Sequence, residues 1–228
     1  MLFEVVGQNP NARLSQYCWR SRMALTHKKL RFESQPWHIT DKQRIARSGD
    51  VTEPALVDGG RWVRDSWQIA TYLDETYPDY PLFDDISCKT KALFVNNWAD
   101  STLHPLIFRA VIAEQLPLTA NCDKTNYKER TLSKFGQSVE EIGSDPETAR
   151  QAVQNAIVPL ETTLAETSFL GGDDPDYSDY ILFGTFQWVR VVSFSSLWLP
   201  NSALHNWFEV MLDAFDGVGR AQPPRSEL

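Results

Sequence analysis

Residues 51 to 74 compress a strand, a turn, a second strand and the start of a helix into one short run. Pro54 stands ahead of the apolar Ala55-Leu56-Val57. A residue without an N–H belongs at the beginning of a strand or on a sheet edge. Asp58-Gly59-Gly60 predicts a hairpin turn, because glycine takes positive φ without a steric penalty. Trp62 and Val63 form the return strand. Asp65-Ser66 caps a helix whose apolar positions Ile69, Ala70 and Leu73 fall on one stripe. A proline able to be cis and a capped helix N-terminus therefore stand a few residues apart. That pair suits the backbone and the charged end of a small anionic peptide.

Upstream, residues 2–6 read as a strand and residues 7–13 as a polar loop. Ser15 is an N-cap for a helix over 16–28, whose basic end suits a helix C-terminus. Residues 30–35 read as a short strand leading into Pro36-Trp37-His38. Residues 40–49 form a basic connector carrying Lys42, Arg44 and Arg47. Strand, helix, strand, connector, strand, strand, helix is a small α/β sheet unit of about 80 residues.

The patterns change after Tyr77-Pro78-Asp79-Tyr80-Pro81, a stiff connection. Domains are predicted at 1–82 and 83–228, the second all-helical. Its expected helices cover 87–115 with Pro105 as a kink, 127–142, 147–166 interrupted by Pro159, 176–192 and 204–215. Asp176 and Asp179 have the spacing of a capping box before a thoroughly apolar helix, a folding element rather than a site.

Composition removes several function classes. The 228 residues are 42% hydrophobic, enough for a core, and the net charge of −8 lacks the basic face that nucleic acid or an anionic membrane requires. Cys18, Cys88 and Cys122 are far apart, which points to a reducing cytoplasm. The N-terminus reads as a strand rather than a signal peptide, and no run reaches the roughly 18 apolar residues of a membrane span. The four His show no metal-ligand spacing. Dinucleotide and P-loop glycine patterns are missing.

Glu-Pro-Ala-Leu-Val-Asp-Gly-Gly, Asp-Ser-Trp-Gln-Ile-Ala-Thr-Tyr-Leu-Asp-Glu-Thr-Tyr-Pro and the capped Asp-Tyr-Ser-Asp helix together resemble the cytosolic glutathione transferases. The resemblance covers nearly the whole chain. Leu-Ser-Gln-Tyr-Cys-Trp-Arg-Ser-Arg-Met-Ala-Leu, Pro-Trp-His-Ile-Thr-Asp-Lys and Phe-Asp-Gly-Val-Gly-Arg look closest to the bacterial β-etherase-like branch. The resemblance implies a thioredoxin-like N-terminal domain, an all-α C-terminal domain, glutathione as co-substrate, a hydrophobic or aromatic electrophile and a homodimer.

Residue by residue, it implies Ser15 as donor to the glutathione thiolate, the plain N-cap being its other reading. A free thiol has a pKa near 8.5, and lowering it by about two units takes roughly 2.7 kcal/mol. A hydroxyl hydrogen bond and a helix N-terminus together supply that much. Pro54 resembles the family's cis-proline, and Glu53 before it would offer its backbone to glutathione. Relatives carry an apolar residue at that position. An acidic side chain beside a thiolate opposes ionisation, so the Glu53 carboxyl is expected to point away.

Asp65 and Ser66 would hold the glutamyl head, and Lys42 the terminal carboxylate, with Arg44 and Arg47 behind it. Trp98, His104, Phe108 and Trp188 are candidates for the second-substrate pocket. Gln16 replaces a proline usual in relatives. Cys18, inside the helix, reads as a buried small hydrophobe. Two alternatives stand beside the transferase: a non-catalytic ligandin for aromatic compounds, and a glutathione-dependent reductase working through Cys18.

Overall fold

The computed structural model describes residues 1–44 and 53–228. Arg47, Val51 and Thr52 lie outside the described residues. The N-terminal unit runs β1 (Leu2–Val5), α1 (Gln16–His27), β2 (Ser34–Trp37), β3 (Ala55–Asp58), β4 (Arg61–Arg64) and α2 (Ser66–Thr76). A 3-10 turn, Lys42–Arg44, follows β2. The sheet order is β2-β1-β3-β4, with β1 and β2 parallel and the remaining pairs antiparallel. This is the thioredoxin-like arrangement.

β2 lies three residues beyond its expected position, because the chain first turns through Lys29, whose φ is 53°, and Leu30 N–H then donates to Leu25 C=O. β2 accepts Pro36 because it is an edge strand. The hairpin between β3 and β4 turns on Gly59 and Gly60, both at positive φ.

Beneath the sheet, Glu4 is fully buried and takes Arg13 Nε at 3.1 Å and Arg22 Nε at 3.0 Å. The connector is tied down as well as stiff. Lys28 Nζ donates to the carbonyls of Tyr77, Asp79 and Tyr80 and pairs with Asp74 at 2.7 Å. His27 joins Tyr180 through Nδ1 (2.6 Å) and Pro81 through Nε2 (3.1 Å).

The second unit is helical: α3 (Ile86–Trp98), α4 (His104–Leu118), α5 (Lys124–Phe135), α6 (Val139–Ile142), α7 (Pro146–Ala156), α8 (Val158–Glu166), α9 (Tyr177–Val192) and α10 (Ala203–Gly217). The predicted kink at Pro105 takes the form of a π turn, Ala99–Leu103, between α3 and α4. A proline ring crowds the carbonyl four residues back, and widening the preceding turn relieves it.

The helix expected over 127–142 is two helices, broken where Gly136 adopts a left-handed conformation and restarted by a Ser138–Glu141 capping box. The helix expected over 147–166 breaks at Ile157, just before Val158 and Pro159 begin α8.

α9 is the axis of this half, with Ile181, Leu182, Phe183, Phe186 and Val189 fully buried. Its predicted capping box is present. Asp179 also accepts from the N–H groups of Leu170 and Gly171 and from Trp207 Nε1. Burial pushes its carboxyl up to about 6.

α1 lies directly on α9. Gly184 permits this approach, since a Cβ there would stand 2.5 Å from Gln16 C=O. No helix among the described residues is long and apolar enough to cross a membrane.

Candidate active site

Ser15 caps α1 and accepts from Cys18 N–H at 3.4 Å. The hydroxyl accepts in that bond and can still donate its own proton, with the Cys18 thiol also within its reach. A cavity of about 440 Å³ lies against this helix start. Ser15, Gln16 and Tyr17 line it from α1, with Glu53 before β3. His104 and Phe108 come from α4, Asn126, Tyr127 and Phe135 from α5, and Trp188 from α9.

Glu53-Pro54 is cis. Pro54 C=O accepts from Asp65 N–H at 3.1 Å, which fastens the start of α2 to the start of β3. Asp65, at φ 67°, is the N-cap: its Oδ1 accepts from Trp67 N–H (2.9 Å) and Gln68 N–H (3.0 Å). Ser66, expected at the cap, is instead the first helical residue and buried, and its C=O accepts from Tyr177 OH at 2.7 Å. Asp65 is exposed and has Oδ2 left for an external cation.

The Glu53 carboxyl does not point away. It is buried in the same cavity wall as Ser15, where desolvation, opposed by Arg130 and aided by Asp123, pushes it up to about 7. With its pKa raised toward neutrality the carboxyl is only partly ionised near pH 7, so it opposes a thiolate less than an open glutamate would.

Three of the four expected pocket residues face the cavity. Phe108 stacks on Phe135 with ring centres 5.0 Å apart. Trp188 is buried and donates from Nε1 to Gln115 at 3.1 Å. His104 lines the cavity but is chiefly a structural hub. It meets Tyr17 OH (3.3 Å) and Gln16 Nε2 (3.4 Å) at Nδ1, and Thr185 Oγ1 (2.9 Å) and Arg20 (3.4 Å) at Nε2. Burial first, then Arg20 and Lys134, hold its pKa well below the usual imidazole range, so it is neutral.

Trp98 is not in the cavity wall; it packs half-buried against the main core. It ends α3, ahead of the π turn, whereas His104 and Phe108 follow that turn on α4. Lys42 is exposed on its 3-10 turn and does not line the cavity. Arg44, behind it, donates to Pro36 C=O at 3.0 Å.

Cys18 is fully buried, and burial, with Glu53 and Glu4 adding to it, holds its thiol well above the ordinary range. Tyr17 is pushed up to about 12, first by burial and then by Asp100, and is a neutral hydroxyl.

α5 supplies a wall that the sequence did not reveal. The helix is rich in charged and polar residues, yet Asn126, Tyr127 and Phe135 line the cavity. Burial raises the Tyr127 phenol beyond its ordinary range. Ahead of α5, buried Asp123 accepts from Ile39 N–H, Thr40 N–H and Thr40 Oγ1, clasping the two units beside the cavity. His38, Cys122 and Asp123 bring potential ligand atoms within 4.8 Å of one another. The Asp123 carboxylate there is already engaged by those three donors.

A thioredoxin-like α/β unit with a capped α1 and a cis-proline, set against a helical unit with a cavity beside the cap, defines the fold class. The N-terminal domain profile of the glutathione S-transferases matches residues 10–81, and the C-terminal domain profile matches residues 91–215. The chain belongs to the glutathione S-transferase family.

It is similar to the crystal structure of glutathione transferase GSTFuA3 from Phanerochaete chrysosporium (TM-score 0.81, 23% identity), which covers 95% of this chain and 97% of that one. A Ceriporiopsis subvermispora glutathione S-transferase in complex with glutathione superposes at a TM-score of 0.73 with 20% identity, over 97% and 93% of the two chains. Among curated relatives, a zeta-class glutathione S-transferase from Euphorbia esula is 30% identical over 136 residues. That match takes in 56% of this chain and spans 60% of the relative's length.

Proposed function

We propose that this protein is a glutathione transferase in which Ser15 donates its hydroxyl hydrogen to the glutathione thiolate. The observation that carries the reading is the cavity against the α1 N-terminus, with Ser15 in its wall and Phe108, Phe135 and Trp188 around it. Glutathione lies from the backbone of Glu53 and Pro54 toward Asp65 and Ser66, its γ-glutamyl ammonium meeting the free oxygen of Asp65. Lys42 is the proposed partner of the terminal carboxylate.

The sulfur sits at the positive end of α1, where the helix dipole and the Ser15 hydroxyl both favour the anion. The thiolate attacks an electrophilic carbon of an aromatic compound. The new C–S bond forms as the leaving group departs with its electron pair. The finer reading is cleavage of a β-aryl ether, which releases a phenolate that takes up a proton. The protein works as a cytoplasmic homodimer, as the family resemblance implies. The burial of Cys18 speaks against the reductase reading, because an inaccessible neutral thiol is a poor nucleophile.

The test is glutathione conjugation and ether cleavage with wild type, Ser15→Ala and Cys18→Ala. The helix N-terminus remains in Ser15→Ala, so loss of the hydroxyl's share, about 1.5–2 kcal/mol, lowers kcat/KM about 10- to 30-fold. Cys18→Ala retains activity. Full activity in Ser15→Ala would refute the serine mechanism. Tight aromatic binding with no turnover of any electrophile would favour the ligandin.

A further inference from the structure

Three side chains in the cavity wall carry buried polar atoms with no hydrogen-bond partner among the described residues. They are the Glu53 carboxyl oxygen Oε2, the Asn126 amide oxygen and the Tyr127 hydroxyl. Buried polar groups in native proteins are almost always paired, so each exception asks for an explanation. Here the three share one cavity, and the aromatic pair Phe108 and Phe135 lies in the same wall. A purely apolar occupant would leave all three unpaired. A hydroxyl both donates and accepts, so it can pair with a carboxyl, an amide or a phenol.

Resting on the transferase reading, we propose that the second substrate is a hydroxylated aromatic compound. Its ring lies against Phe108 and Phe135 and its hydroxyl groups pair with Glu53, Asn126 and Tyr127. The three residues line the cavity, but none of the three orphan atoms has accessible surface of its own. Engagement therefore involves a turn of these side chains, a common adjustment on binding. Charge does not make the selection, because Arg130 and Lys134 in the same wall offset Asp100 and Asp123. The unmet hydrogen bonds do.

The inference is tested by binding 2-naphthol and its near-isostere 2-methylnaphthalene to the full chain without glutathione, followed by tryptophan fluorescence. An ordinary apolar cavity prefers the methyl compound, which is the more hydrophobic. Wild type is expected to bind the naphthol five- to tenfold more tightly, the worth of about one net hydrogen bond. Tyr127→Phe and Asn126→Ala are expected to reduce that preference while leaving the affinity for 2-methylnaphthalene within about twofold.

Thermal unfolding establishes that each variant is folded, and either variant alone suffices for the comparison. Equal or tighter binding of the methyl compound by wild type overturns the proposal, as does a preference untouched by a folded variant. Naphthol preference without glutathione turnover would count against the transferase reading alone. Turnover with methyl preference would count against this inference alone.

Discussion

Replacing Glu53 by glutamine removes a carboxyl that desolvation has pushed up to about 7 from the 4.5 of an open glutamate. The folded protein holds that proton between roughly pH 4.5 and 7, where the unfolded chain has released it. Stability therefore falls as pH rises through this window. The penalty is absent below about 4.5 and complete above about 7. At about 1.36 kcal/mol for each pH unit, the difference of 7 − 4.5 = 2.5 sets an upper bound of about 3.4 kcal/mol.

Glu53 is only half-buried as a residue, so relaxation and water reduce the expected effect to about 2 kcal/mol. Glutamine is neutral at every pH and nearly the same shape. Glu53→Gln should match wild type at pH 4.5 and exceed it by about 2 kcal/mol at pH 8. For a chain of this length that is about 4–8 °C in Tm. Thermal unfolding of both proteins at the two pH values, at one protein concentration, reads the difference directly. Other titrating groups, Asp179 among them, cancel between the two proteins. An advantage equal at both pH values, or none at pH 8, would refute the claim that Glu53 is held in a desolvated wall.

Two further outcomes follow from the packing. Gly184→Ala drives a Cβ against Gln16 C=O. It should cost about 1–3 kcal/mol and, by moving the residue next to Ser15, lower kcat/KM for conjugation; calorimetry and steady-state kinetics measure the two effects. Asp179→Ala strips the acceptor from the N–H groups of Leu170, Gly171 and Asp176 and from Trp207 Nε1. At about 1–3 kcal/mol for each of the four donors left without a partner, a loss of at least about 4 kcal/mol is expected in urea unfolding.

The sequence disclosed the parts of this molecule that rest on local chemistry. The Gly59-Gly60 hairpin, the Ser15 cap and the Asp176–Asp179 box each depend on a few adjacent residues and stand where the residues place them, while the cap of α2 falls on Asp65 alone. Features set by long-range contact were harder to see. Trp98 was misplaced because an aromatic ring on a long helix reads the same whether it packs on the core or lines a pocket. Glu53 was expected to point outward on a charge argument that assumed ionisation, whereas burial shifts the proton equilibrium itself. The α5 wall was invisible because its polar surface and its cavity-facing residues are interleaved along a single helix.

Arg20 belongs to α1, yet its side chain is fully buried against the helical unit, donating to Asn96 at 2.8 Å and Asp100 at 2.9 Å and meeting His104. A guanidinium enclosed by residues of another folding unit is costly to leave unpaired. The two halves of this chain are therefore poor modules for recombination. A chimera that exchanges the helical half to acquire a new substrate range inherits the obligation to supply Asn96, Asp100 and His104, or to replace Arg20 at the same time. Substrate diversification along such a scaffold is better served by changes on α5, which lines the cavity without joining that charged seam.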